Sequence, residues 1–128
     1  MEFRLEVVLV PVSDVDRAKA FYSAKVGFNL DHDRKVSDEM RIVQLTPPGS
    51  ACSIVIGTGL PEMEPGCLQG VQLVVADLDA ARQELADRGV EVGEIQQLGP
   101  EGSTGSRFVF FNDPDGNGWA VQEIRAHE

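Results

Sequence analysis

Cysteine and histidine, which build most thiol and metal sites, are scarce: the chain of 128 residues has two of each. Cys52 and Cys67 form no C-x-x-C pair and have no paired histidine spacing, so we expect free thiols rather than a zinc motif. His32 lies in a charged run and His127 near the end, and both are expected to be solvated surface side chains. The sequence also has no G-x-S-x-G motif, no plausible Cys/His pair and no phosphate-binding glycine loop.

Basic residues and long apolar runs are scarce as well. Eleven Lys and Arg face 21 Asp and Glu, giving a net charge of -10, which argues against nucleic acid and anionic membranes as partners and favours a cationic or neutral small molecule. The opening "MEFRLEVVLVPVSD" has neither the basic n-region nor the A-x-A cleavage site of a signal peptide, and its apolar run is too short to span a bilayer. A hydrophobic content of 42% is typical of a soluble globular domain, and we expect a cytoplasmic protein.

The sequence repeats itself. "PVSDVDRAKAFY" (11–22) superposes on "VVADLDAARQEL" (74–85) at a shift of 63 residues, and "TPPGSACSIVI" (46–56) superposes on "DPDGNGWAVQE" (113–123) at a shift of 67. We therefore predict one domain over 1–128, made of a module at 1–58 and a module at 67–128. The stretch "GTGLPEMEPG" between them has the glycine and proline content of a linker.

Each module has the same predicted order of elements, β-α-β-β-β. Asp14 and Asp77 are predicted helix N-caps, and Gly27 and Gly89 are predicted to end the two helices. Alternating and apolar runs predict the strands, which fall at 4–12, 28–36, 41–45 and 51–57, then 71–76, 90–98, 106–111 and 118–124. One helix covers only one face of such a sheet, so the fold class is α+β, with two modules forming a curved mixed-sheet cup.

Polar residues interrupt the apolar strands at matching places in the two modules. Because side chains alternate between the faces of a strand, these residues are predicted on the faces that the helices leave open; they are Gln44, Ser53, Gln72 and Gln122. Phe111, which shares its parity with Val109, is predicted on the open face too, where it would stack on planar rings. Trp119 falls with the sealed face and is predicted in the core.

The helix starts "VPVSDVDRAKAFYSAKVGF" and the hairpin "FNDPDGNGWAVQE" together resemble the vicinal oxygen chelate superfamily, which contains glyoxalase I, bleomycin-resistance proteins, fosfomycin-resistance enzymes and extradiol dioxygenases. The resemblance covers nearly the whole chain. It implies paired β-α-β-β-β modules and a homodimer with cups at or near the dimer interface.

The resemblance also implies where a divalent metal would be bound in the enzymes of this superfamily, with one His, Glu or Gln ligand from each of four strands. The corresponding positions here are Val7, Ser53, Gly70 and Ala120, none of which offers an imidazole or a carboxylate. Glu123 lies three residues beyond the expected position and has the opposite parity. We therefore expect no metal and no cofactor, and we interpret "FFNDPDGNGWAVQEI" as a structural hairpin.

The favoured hypothesis is a metal-free protein that binds a small cationic or aromatic molecule in the cup, in the manner of the bleomycin-resistance proteins, and sequesters it. The residues predicted to line the cup are Gln44, Ser53, Gln72, Phe111 and Gln122. The alternative is a glyoxalase-like lyase or isomerase, or a dioxygenase-type enzyme, with a divalent metal or a metal-free site; a third is an interaction or regulatory domain. The missing His and Glu set favours binding over catalysis, and no catalytic residue is identified.

Overall fold

The chain folds into two consecutive β-α-β-β-β modules, as the repeat predicts. The computed structural model describes residues 1–103 and 105–124. Its elements, in chain order, are β1 (Val7–Leu9), α1 (Val15–Ala20), a π-helical continuation of α1 (Phe21–Val26), β2 (Asn29–Lys35), β3 (Arg41–Thr46), β4 (Ser53–Thr58), β5 (Val71–Val75), α2 (Leu78–Asp87), β6 (Gln96–Gln97), β7 (Arg107–Asn112) and β8 (Gly118–Glu123). The α+β class with two modules is confirmed.

The helix ends follow the residues that predicted them. The side chain of Asp14 accepts a hydrogen bond from Arg17 N at 3.0 Å, and that of Asp77 accepts one from Ala80 N at 3.1 Å. Each aspartate thus satisfies a backbone donor that the first helical turn leaves free. Gly27 ends the π-helical segment with φ of +91°, a left-handed conformation that favours glycine.

Two predicted strands are much shorter than their apolar patterns. The run at 90–98 is paired as a strand only at Gln96–Gln97. Its apolar residues Val92 and Ile95 pack against the core, which accounts for the apolar pattern. Before Gln96 the backbone contacts β7 through Gly93 N, which donates to Phe110 O at 3.1 Å. The run at 4–12 is a strand only over Val7–Leu9. Its partner β4 begins at Ser53, opposite Val7, so the preceding residues have no strand beside them.

Each module forms one four-stranded sheet, with strand orders β1-β4-β3-β2 and β5-β8-β7-β6. The pairs β1/β4 and β5/β8 are parallel and the others are antiparallel. β1 and β5 stand first in the strand orders of their sheets and are therefore sheet edges. Both sheets and both helices contribute to a common core, whose buried residues include Val10, Ala18, Tyr22, Phe28, Val43, Leu45, Ile54, Ile56, Leu78, Leu85, Val109, Phe111, Trp119 and Val121. The opposite side of each sheet, which faces away from this core, is called its distal face below.

A buried polar cluster in the hairpin joins the two modules. Asp113, 4% exposed, accepts from the backbone N–H groups of Asp115 and Asn117 at 3.0 and 2.9 Å. It also accepts from Tyr22 OH at 2.7 Å and Asn117 Nδ2 at 2.8 Å. Trp119 Nε1 donates to Tyr22 OH at 2.9 Å, and Trp119 is buried as predicted. Burial and the neighbouring Asp113 carboxylate raise the pKa of Tyr22 well above its usual value.

The helices within 1–103 and 105–124 are too short or too polar to cross a membrane.

Candidate functional site

Two of the predicted site residues, Gln44 and Ser53, meet on the distal face of the first sheet. Gln44 lies opposite His32 in β2 and Val55 in β4, and Gln44 Nε2 donates to Ser53 Oγ at 3.4 Å. Ser53 Oγ and Thr46 Oγ1 lie 2.6 Å apart. Because Val43 and Leu45 alternate with Gln44 and are fully buried in the core, Gln44 must point away from it.

Gln72 and Gln122 meet in the same way on the distal face of the second sheet. Gln72 Nε2 donates to Gln122 Oε1 at 2.6 Å, and Gln122 Nε2 donates to Gly105 O at 2.8 Å. The parallel pairing of β5 with β8 places Gln72 beside Ala120 and Val74 beside Gln122. The amide pair therefore spans two adjacent strands and is tied to the loop before β7.

Ser53 and Gln72 also border a common cavity of about 260 Å³ between the two sheets. Its other lining residues are mostly apolar and include Val8, Ile54, Val71, Leu73 and Trp119. The cavity thus lies where the two modules meet, at the edge strands β1 and β5, and one polar residue of each module borders it. Apolar walls with a few polar groups are typical of small-molecule sites.

The structure places Phe111 on the core side rather than on the distal face. Phe111 is 3% exposed and stacks on Trp119, with ring centroids 6.0 Å apart. The register explains the difference: Phe111 lies opposite Trp119, whereas Phe108 lies opposite Gln122 and Phe110 opposite Ala120. The prediction for Phe111 had the parity of the run "FVFF" reversed.

Phe108 and Phe110 are the aromatic residues of the second distal face, and the sequence reasoning missed them. Their rings are stacked at 6.1 Å with an angle of 8° between the planes, and Phe110 is 38% exposed. The signal that would have found them is the partner strand. Once Gln122 is placed on the distal face, its neighbour in β7 and every second residue from it must lie there too.

The four positions at which the resemblance implies metal ligands carry a set that does not fit a divalent metal. Val7 pairs with Ser53 in the first module, and Gln72 pairs with Ala120 in the second. The pairing shows that Gln72, rather than Gly70, is the counterpart of Val7. The sequence alone suggested Gly70 because the first module has two more residues between this strand position and its N-cap aspartate than the second module has. The set offers one hydroxyl and one amide, without an imidazole or a carboxylate.

Glu123 points toward the core side of its sheet, as its parity predicts. Its carboxylate accepts from Leu78 N at 2.9 Å and from Arg107 Nη1 at 2.9 Å, and the residue is 5% exposed. Glu123 thus caps the start of α2 and pairs with a guanidinium. The closing strand of the hairpin serves the fold through this carboxylate.

His32 differs from the solvated side chain that was expected. It lies on β2, opposite Gln44 on the first distal face, and is half-buried. Its Nδ1 is buried and has no hydrogen-bond partner within the described residues. The charged neighbours in "DHDRK" hid the fact that this segment is a strand with one side on a sheet face. His127 lies outside the described residues.

Comparison with known proteins assigns the family. The sequence model of the Glyoxalase/Bleomycin resistance protein/Dioxygenase superfamily matches residues 4–121. The chain belongs to this superfamily. Its fold is similar to that of TnmS3, an antibiotic binding protein from Streptomyces sp. CB03234, with 36% identity, a TM-score of 0.79 and coverage of 96% of this chain and 97% of that one.

Two further relatives of the superfamily member are similar over nearly their full lengths. A glyoxalase/bleomycin resistance protein from Streptomyces sp. CB03234 has 37% identity and a TM-score of 0.76, covering 94% of this chain and 100% of that one. YetH, an uncharacterized protein of Bacillus subtilis (strain 168), is 31% identical over 125 residues, which is 94% of this chain and 98% of YetH. The superfamily includes binding proteins and enzymes, so membership alone does not decide between these two functions.

Proposed function

We propose that this superfamily member binds a small aromatic or cationic molecule on the distal faces of its sheets and sequesters it without chemical change. The observation that carries the proposal is the composition of the second distal face. There, the stacked rings of Phe108 and Phe110 adjoin the hydrogen-bonded amides of Gln72 and Gln122. Aromatic rings provide a stacking surface and amides fix the orientation of a ligand by hydrogen bonds.

The amide pair leaves groups free for a ligand. Gln72 Nε2 and Gln122 Nε2 each donate one hydrogen bond within the described residues, and Gln72 Oε1 accepts none there. One acceptor and two remaining N–H donors thus lie beside the aromatic rings. A planar molecule with both donor and acceptor groups at its edge matches this arrangement.

The metal-ligand positions support binding over the lyase, isomerase and dioxygenase alternatives. Val7, Ser53, Gln72 and Ala120 provide no donor set for Mg, Zn, Ni or Fe. TnmS3, described as an antibiotic binding protein, is among the relatives above 30% identity, and it supports the same choice. The free cysteines, Cys52 and Cys67, agree with a reducing compartment, and we propose the cytoplasm.

We also propose that the protein acts as a homodimer. The N-terminal segment alternates apolar and charged residues, and Phe3 and Leu5 are 93% and 70% exposed. It continues β1, which, like β5, has a strand on only one side among residues 1–103 and 105–124. Burial of these edges against a second copy would bring the first distal face of one protomer next to the second distal face of its partner and enlarge the site.

The dimer can be tested by replacing Phe3 and Leu5 with aspartate. We expect the native protein to sediment as a dimer at micromolar concentration and the double variant to sediment as a monomer with an unchanged circular dichroism spectrum. A native protein that is monomeric at all accessible concentrations would contradict the proposal.

The binding function predicts a specific loss for Phe110→Ala. Planar aromatic compounds found by thermal-shift screening should bind the variant about tenfold more weakly, because one ring of the stacking surface is removed. Isothermal titration calorimetry measures the loss. Gln72→Leu should weaken the same compounds as well, since it removes an amide of the pair.

Val36→Ala is the matched control, because Val36 is 57% exposed and follows β2, which belongs to the sheet that does not carry the amide pair. It should leave the affinity unchanged. If both Phe110→Ala and Gln72→Leu bind the compounds with unaltered affinity, the second distal face is not part of the binding site.

The enzyme alternative is tested by elemental analysis of the purified protein and calorimetric titration with divalent metals. The proposal predicts no stoichiometric metal and no tight binding. A tightly bound ion at one per chain would reverse the ranking of the two functions.

A further inference from the structure

The first distal face carries a carboxylate that the strand alternation alone would not place there. β2 pairs with β3 through Leu30 opposite Leu45 and then His32 opposite Gln44, so Asp31 is the extra residue of a β-bulge. A bulge re-aims the side chain of its extra residue. Asp31 and His32, although consecutive, are therefore both associated with the distal face.

The Asp31 carboxylate is held in place there by two side chains of β3. Its Oδ2 accepts from Thr46 Oγ1 in a short hydrogen bond and from Gln44 Nε2 at 3.4 Å. Thr46 and Gln44 in turn contact Ser53. The polar cluster thus includes two of the predicted site residues, and it orients a negative charge on the face where we propose that the ligand binds.

Two acceptors of this cluster have no partner within the described residues, namely Asp31 Oδ1 and Gln44 Oε1. His32 Nδ1, beside them on β2, is buried and also without a partner there. A buried polar atom without a hydrogen bond is costly and calls for an explanation. That argument applies to His32 Nδ1 alone, whereas Asp31 is exposed and Gln44 is half-buried, so their free acceptors are accessible to a ligand group that is rich in N–H donors.

The neighbouring carboxylate shows the contrast with a structural role. Asp33 points to the helix side, where it accepts from Lys19 Nζ at 2.9 Å and from Arg41 Nε and Nη2 at 3.0 and 2.8 Å. These cations hold the pKa of Asp33 well below its usual range. Asp31 has no such cation beside it among the described residues, although it lies two positions away on the same strand.

We propose that Asp31, supported by Thr46 and Gln44, is the binding site for a primary or secondary ammonium group of the ligand. The proposal rests on the binding function proposed above and adds the chemical class of the polar group that the ligand carries. An ammonium group donates to Asp31 Oδ1 and Gln44 Oε1.

The test uses two probes that differ in one group, 2-naphthylmethylammonium and 2-naphthylmethanol. Calorimetric titration of the native protein should show about fivefold tighter binding of the ammonium probe, a modest factor because Asp31 is exposed. The variant Asp31→Asn keeps an acceptor oxygen for Thr46 Oγ1. It should bind the two probes with equal affinity, because the ammonium probe loses its advantage while the alcohol binds as before.

Asp38→Asn is the control, since Asp38 is 97% exposed in its side chain and its replacement changes the net charge equally. It should keep the preference for the ammonium probe. Equal binding of both probes to the native protein, or an equal loss of preference in Asp31→Asn and Asp38→Asn, would overturn the assignment of Asp31 and leave the binding function standing. Binding of neither probe would overturn both.

Discussion

Replacing Asp113 with alanine is expected to lower the free energy of unfolding by about 4 kcal/mol. The variant leaves Tyr22 OH, Asn117 Nδ2 and two backbone N–H groups without their acceptor in a buried site, and each unsatisfied buried group costs about 1–3 kcal/mol. The loss should be smaller than the sum, since Asn117 Nδ2 also donates to Pro11 O. Urea denaturation followed by circular dichroism measures it.

Two further variants separate the loss of buried hydrogen bonds from the loss of a carboxylate as such. Asp113→Asn keeps one acceptor oxygen and should lose about half as much stability. Asp38→Ala removes a carboxylate that is exposed at the surface and should change stability by less than about 0.5 kcal/mol. Similar losses in Asp113→Ala and Asp38→Ala would mean that the hairpin cluster does not join the modules as described.

The second large effect is a loss of stability in alkali through Tyr22, the one tyrosine of the chain. Its pKa in the folded protein is raised, first by burial and then by the hydrogen bond and charge of Asp113, whereas an unfolded tyrosine has a pKa of about 10. The folded state therefore holds its phenolic proton more tightly. This stabilisation is complete below about pH 10 and is lost above it at about 1.4 kcal/mol per pH unit.

Tyr22→Phe isolates the contribution of the phenol from that of lysine and arginine titration. Below about pH 10 the native protein should exceed the variant in stability by about 2 kcal/mol, because loss of the hydroxyl leaves Trp119 Nε1 without an acceptor and Asp113 with one donor fewer. By about pH 12 the difference should have vanished. Denaturation at a series of pH values measures it, and a constant difference would show that Tyr22 does not titrate abnormally.

The fold could be predicted from the sequence because its signals are local. Asp14, Asp77 and Gly27 act on the backbone within a few residues of themselves, so they are legible without the tertiary structure. The face of Gln44, Ser53, Gln72 and Gln122 was legible for a related reason, since a polar residue in an apolar strand is placed by alternation alone.

The rest of the site depends on partners that are distant in sequence. Phe111 and Phe110 are adjacent aromatics, and only pairing with Trp119 and Ala120 decides which of them faces the core. The orientation of Asp31 depends on a bulge, which shifts register and cannot be read from alternation. The equivalence of Gln72 to the metal-ligand position of the first strand was missed because the two modules differ in length between strand and cap.

An NMR titration with a ligand found by screening, observed at the side-chain amide signals of the glutamines, tests whether the distal faces bind the ligand. We expect the largest shifts at Gln72, Gln122 and Gln44, and we expect to recover the ligand chemically unchanged. Shifts confined to the crevice of about 390 Å³ between Phe28 and α2, or conversion of the ligand to a product, would contradict this expectation.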